Sequence, residues 1–160
     1  MKKIFVSTVT ALLLVIVLAS TVFAESTAGE KQLLLKGSLQ TAETQQVAFP
    51  TITVDGTGSG NATQLGLYTM SYHAQLNIPT LSSSASATLI AADGSSLFGE
   101  GTGQGTPTGA PGIVSIVETY TITGGTGRFA DATGNFTVER VLNRATLVSS
   151  GTISGIIVLP

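Results

Sequence analysis

Glu118 and Arg140 are the residues of this chain best placed to do chemistry. One lies on each side of a glycine-rich bend. Val114, Ile116, Glu118, Tyr120 and Ile122 alternate along one segment, and Phe136, Val138, Arg140 and Leu142 along the next. Period-2 alternation of this kind puts each set on one face of a strand. A hairpin folded symmetrically about Phe129 sets residue 118 opposite residue 140, both pointing inward. A carboxylate on an apolar face needs such a partner, because an unpaired buried charge is costly. Two roles follow from the pairing. It is either a structural ion pair that sets the register, or a polar anchor inside a ligand cavity.

Tyrosines extend the candidate lining. Tyr68 and Tyr72 share a face with Met70 and Leu76, and with Tyr120 they read as core or cavity wall. The ligand-binding candidates are therefore Glu118, Arg140, Tyr120, Tyr68 and Tyr72. His73, the single histidine, falls with Leu67, Thr69, Ser71 and Gln75 on the mixed or outward face. A serine hydrolase would need a nucleophile elbow of the G-x-S-x-G type, and none is present. One histidine, no cysteine and no clustered acids give no metal site, so the metal reading is none. The runs GTGSGN and GEGTGQG lack the G-x-G-x-x-G spacing between a strand and a helix that cradles a phosphate. No cofactor is expected, no catalytic residue is assigned, and the reading leans away from an enzyme.

The elements that must position these residues are all strands. No segment holds a capped i, i+3, i+4, i+7 apolar pattern. Strands are expected at Leu33–Gln40, continuing irregularly to Val54, then at Thr57–Thr63, Leu65–Asn77, Ser83–Ala91, Ser95–Gly105, Ile113–Thr123, Asn135–Leu142 and Leu147–Leu159. Turn signals fall at Asn61 to Gln64, Asn77-Ile78-Pro79, Asp93-Gly94, Pro107 to Gly112 and Asn143-Arg144. Asp93-Gly94 is the clearest tight turn, because both residues tolerate positive φ. Phe129, in the bend Gly124–Gly134, is expected to plug a barrel end, with Arg128 and Asp131 beside it solvated. Gly56, Gly58 and Gly60 share one face, as do Gly99, Gly101, Gly103 and Gly105. Glycine weakens a strand, so such rows imply tight curling or close approach of another backbone. Eight strands with short turns predict an all-β, eight-stranded antiparallel meander closed into a barrel, which leaves no exposed edge.

Residues 1–24 carry the marks of a signal peptide: Lys2 and Lys3, an apolar run from Ile4 to Leu18, and Val22-Phe23-Ala24 before the cut. An uncleaved anchor is the rival, but the apolar run is short for a spanning helix. The expected division is a signal peptide 1–24, a flexible arm 25–31 and one barrel domain 32–160, in a secreted or periplasmic protein. Without Lys2 and Lys3, five basic and nine acidic residues remain, a net charge of −4. That balance argues against nucleic acid and against an anionic membrane surface. With no cysteine, stability must come from an apolar core rather than disulfides. An outer-membrane barrel would want aromatic girdles and outward apolar bands, and the aromatics are too few.

The stretch YTITGGTGRFADATGNF, from Tyr120 to Phe136, resembles the Gly-Gly-Thr-Gly-x-Phe hairpin of the allene oxide cyclase and dirigent superfamily. It is most similar to small secreted bacterial members of that barrel type, and GNATQLGLYT at Gly60–Thr69 resembles an early segment of the same sequences. The resemblance implies an eight-stranded calycin-like barrel with a central cavity, often oligomeric in plant members that guide radical coupling or cyclise an unsaturated epoxide. None of their catalytic residues can be placed on this chain outside the hairpin. Three classes of function follow. The first is a secreted barrel binding a small apolar or amphipathic molecule. The second is a cyclase-like or dirigent-like protein acting on a reactive substrate. The third is a structural or surface-interaction protein with a filled barrel, and a homo-oligomer is compatible with each.

Overall fold

The computed structural model describes residues 29–160. Alternating apolar and polar residues, broken by turn formers, give eight strands: β1 (Lys31–Ala48), β2 (Thr51–Ala62), β3 (Gly66–Asn77), β4 (Ser82–Ile90), β5 (Ser96–Pro107), β6 (Ile113–Gly125), β7 (Thr133–Asn143) and β8 (Val148–Leu159). Each pairs antiparallel with the next, and β8 returns to β1, so the sheet is a closed barrel. Leu39 of β1 shows the closure, facing Gly60 on β2 and Gly151 on β8. The signal-peptide segment and most of the expected arm lie outside the described residues. The first strand begins at Lys31, the last residue assigned to that arm.

Closure sorts the side chains by parity. In β3, Tyr68, Met70, Tyr72 and Ala74 are buried, while Thr69, Ser71, His73 and Gln75 face out. The two ends of the barrel differ. At the end holding the β2–β3, β4–β5 and β6–β7 connections, Leu65, Leu89, Leu97, Phe129, Phe136 and Ile157 are fully buried. Phe129 sits there on a single 3-10 turn, Gly127–Phe129, and closes that end as expected. The Tyr120 and Phe136 rings stack beneath it, with centroids 4.7 Å apart.

Four expectations are corrected. The first two strands meet at Phe49-Pro50, not near Val54. Pro50 has no N–H to give a ladder, so it marks the turn that the sequence reading ran through. Residue 118 faces Val138, and Arg140 faces Ile116, so the β6–β7 register differs by two from symmetry about Phe129. The loop is lopsided because Gly124 and Gly125 stay paired with Phe98 and Leu97 of β5. At the β4–β5 turn only Gly94 has positive φ, at 84°, while Asp93 instead accepts a hydrogen bond from the Ser95 N–H at 3.0 Å. Arg128 is half-exposed but not free in solvent. Its Nε lies 3.1 Å from Asp93 Oδ2, its Nη2 donates to the Gln64 carbonyl, and its guanidinium lies 4.8 Å from the Phe129 ring centroid. Asp131 is exposed, at φ 57°.

Candidate functional site

A polar layer crosses the middle of the barrel. Arg140 on β7 and Glu118 on β6 are inward by parity, and a two-residue register difference preserves parity. They meet diagonally, within reach of long side chains. Arg140 donates from Nε to Glu118 Oε2 at 3.0 Å and from Nη2 to Glu118 Oε1 at 3.2 Å. That two-point fork is the strongest geometry available to this pair.

Sequence reasoning missed a third charge. Glu43 of β1 comes in from the far side of β8, and Arg140 Nη1 donates to its Oε2 at 3.0 Å. The same Nη1 donates to Ser149 Oγ at 3.2 Å. Tyr72 donates its hydroxyl to Glu43 Oε2 at 2.7 Å, and Gln45 donates from Nε2 to Glu43 Oε1 at 2.7 Å. Thr41 and Ser149 share a hydroxyl bond of 2.6 Å. The signal for Glu43 was present: Leu35, Leu39, Thr41, Glu43 and Gln45 continue one face at period 2. Placing the turn past Val54 hid it.

The inward glycines make room for this layer. A Cβ at Gly56 would overlap the Tyr72 ring, and one at Gly103 would lie 2.8 Å from Glu118 Cγ. At Gly151 it would lie 2.8 Å from Arg140 Cβ. The Gly rows therefore serve close approach by side chains as well as by backbone.

Burial shapes the acid–base behaviour of the layer. Desolvation works to lower the pKa of Arg140, but the charge and hydrogen bonds of Glu118 outweigh it, and the net shift is upward. Burial drives the Tyr72 and Tyr120 hydroxyls well above the usual phenol range, and pushes Tyr68 up to about 12. All three phenols are held neutral, and the guanidinium charged.

Above the layer, on the side away from Phe129, lies a cup of about 180 Å³. Glu43, Glu118 and Arg140 line its floor. Ile52, Val54, Leu76, Ile116 and Leu142 are among its walls, with Gln45 and Arg144 toward the mouth. Of the five sequence candidates, Glu118 and Arg140 line the cup. Tyr72 lies under the floor, with its ring centroid 5.1 Å from the Arg140 guanidinium carbon. Tyr120 belongs to the filled half, stacked on Phe136. Tyr68 donates to the Ser38 carbonyl at 3.1 Å and does not line the cup. His73 is outward, with Nδ1 2.7 Å from Asp55 Oδ1.

The described chain is thus a closed eight-stranded antiparallel barrel, filled at one end and cupped at the other. The sequence matches no family model, and no curated protein matches it. Its structure is similar to that of the pterocarpan synthase dirigent protein GePTS1, with a TM-score of 0.52 over 82% of this chain and 86% of that one, at 16% identity. At that identity the likeness concerns the fold, which is a dirigent-like barrel.

Proposed function

We propose that this protein binds a small apolar or amphipathic molecule in the cup above Arg140. The cup itself carries the reading: apolar walls around a floor of buried, hydrogen-bonded charge, the usual composition of a small-molecule site. Its size bounds the ligand. An apolar cavity of about 150 Å³ holds a benzene ring, so a single ring or a short chain is the right scale. The filled half below Tyr72 provides a rigid base for the floor, which supports binding over a fully packed structural barrel. Outward residues such as Ser82, Ser84, Ser86, Glu100, Thr102 and Gln104 support a barrel that works in water. Export through the N-terminal segment belongs to the same proposal. Mass spectrometry of the exported protein should find Glu25 first, and a mature chain retaining Met1 would reject it.

Methyl NMR tests the cup directly. Titrating single-ring fragments should move the Ile52, Val54, Leu76, Ile116 and Leu142 methyls and leave Leu65, Leu89 and Leu97 still. Shifts confined to outward methyls such as Val47 or Val141, or no shifts at all, would overturn the reading.

The likeness to a pterocarpan synthase dirigent protein favours a second reading, in which the cup steers a coupling or cyclisation as in the dirigent and allene oxide cyclase superfamily. Chemistry separates the two. A molecule recovered unchanged after prolonged incubation supports simple binding, and a new covalent bond formed in it supports the dirigent-like role.

A further inference from the structure

Charge in the floor of the cup is not balanced. Among the described residues, Glu43 and Glu118 face a single buried cation, Arg140, and each of the three side chains is at most 5% exposed. Two carboxylates against one guanidinium leave a formal excess of one negative charge. The remaining neighbours, Tyr72, Gln45, Ser149 and Thr41, are neutral and only share hydrogen bonds. Arg144 also lines the cup, but it is solvent-exposed on the β7–β8 turn. A charge excess in a low-dielectric site is costly until something of opposite sign approaches it.

The hydrogen-bond inventory points the same way. Each oxygen of an ionised carboxylate accepts about two hydrogen bonds. Glu118 Oε1 and Oε2 each take one, both from Arg140, and Glu43 Oε1 takes one, from Gln45. Acceptor capacity is therefore left on the two acids that line the cup. Of the five N–H donors of a guanidinium, four are engaged by Glu118, Glu43 and Ser149. The floor has acceptors and negative charge to offer, and little donor capacity.

We infer that the cup selects a small organic cation, a primary ammonium carried on a single apolar ring or short chain. The ammonium would hydrogen-bond the free positions on Glu118 and Glu43 and cancel the excess charge, while the ring fills the space between the walls. An alcohol of the same shape brings a single donor and no charge, so it gains at most one of these hydrogen bonds. A carboxylate adds a second negative charge to the floor and is excluded. This inference rests on the cup reading and adds the head-group chemistry to it.

Three probes of one shape test it: benzylamine, benzyl alcohol and benzoate, titrated at neutral pH and followed by methyl NMR. Benzylamine should bind at least about tenfold tighter than benzyl alcohol, equal to about 1.4 kcal/mol, and benzoate weakest. In Glu118→Gln the floor holds one acid and one guanidinium, so the amine-to-alcohol ratio should fall to about one. If that variant does not fold, the ranking on the wild-type chain decides alone. Benzyl alcohol or benzoate binding the cup as tightly as benzylamine would overturn the ammonium inference and leave the cup reading standing. Failure of all three to move any cup methyl would overturn both.

Discussion

Arg140 is the residue on which the interior charge depends, because among the described residues it is the one cation between two buried acids. Removing it should be far worse than removing either acid. Arg140→Met leaves Glu43 and Glu118 buried with no cation, and should cost about 3–5 kcal/mol. Glu118→Gln leaves a one-to-one pair of Glu43 and Arg140, with a cost of about 1–3 kcal/mol. A double change at 118 and 140 does not neutralise the site, since it strands Glu43. Only the joint replacement of Glu43, Glu118 and Arg140 by apolar residues of similar volume, with Tyr72→Phe to remove the orphan hydroxyl, should recover much of the loss. Urea unfolding of these variants checks the order. Arg140→Met no less stable than Glu118→Gln would show that Arg140 does not hold the layer together. The sequence pointed to Arg140 and Glu118 by alternation alone. It did not bring in Glu43, which is 97 residues away in sequence from Arg140 and reaches it only through barrel closure.

Among the strands, β2 shows how composition and packing can disagree. By propensity, Gly56→Ala should stabilise a strand interior by about 0.5–1 kcal/mol. In this barrel the added methyl would overlap the Tyr72 ring, which is held against Glu43 by a 2.7 Å hydrogen bond. Overpacking of that kind costs about 1–3 kcal/mol. The expected outcome is a net loss of stability in thermal unfolding, with smaller loss when Tyr72→Phe frees the ring. A gain in stability from Gly56→Ala would mean that the Tyr72 ring does not pack against Gly56 as described. The β6–β7 hairpin carries the complementary lesson. Its alternation survived a register difference of two, because any even shift leaves the same residues inward. Its exact pairing depended on how Gly124 and Gly125 bond to a third strand, β5, which no local pattern expresses.

At the scale of the molecule, the barrel encloses every tyrosine of the chain: Tyr68, Tyr72 and Tyr120 are each no more than 6% exposed. Burial raises all three above the 10.0 of a free phenol, Tyr68 to about 12 and the other two further. A raised folded value means that the unfolded chain releases protons first as pH climbs. The stability these groups contribute is thus complete below pH 10 and is lost as pH rises from there through the folded values. An ultraviolet titration should show no phenolate in the folded protein near pH 10, and then its cooperative appearance together with loss of the β-sheet signal. A tyrosine that ionises near pH 10 while circular dichroism stays native would place that ring in solvent, against the packing described. The same enclosure creates the two-ended interior. Phe129 and the stacked Tyr120–Phe136 pair fill one half, and among the described residues the aliphatic side chains of the other half line the cup without filling it.

The sequence by itself determined the class of fold, the number of strands, most of their turns, and, outside the first strand, which side chains face inward. All of these rest on period-2 alternation and turn chemistry, which act over a few residues. The signals for Phe129 as a plug and for Glu118 and Arg140 as inward partners were of the same local kind. Tertiary structure alone decided that Glu43 joins them, that Tyr72 lies beneath the cup while Tyr68 and Tyr120 lie outside it, and that the interior is half filled. These outcomes depend on stagger between strands and on the register in which β8 meets β1. The free energy of that closure is shared across the whole sheet, so no single segment of the chain encodes it.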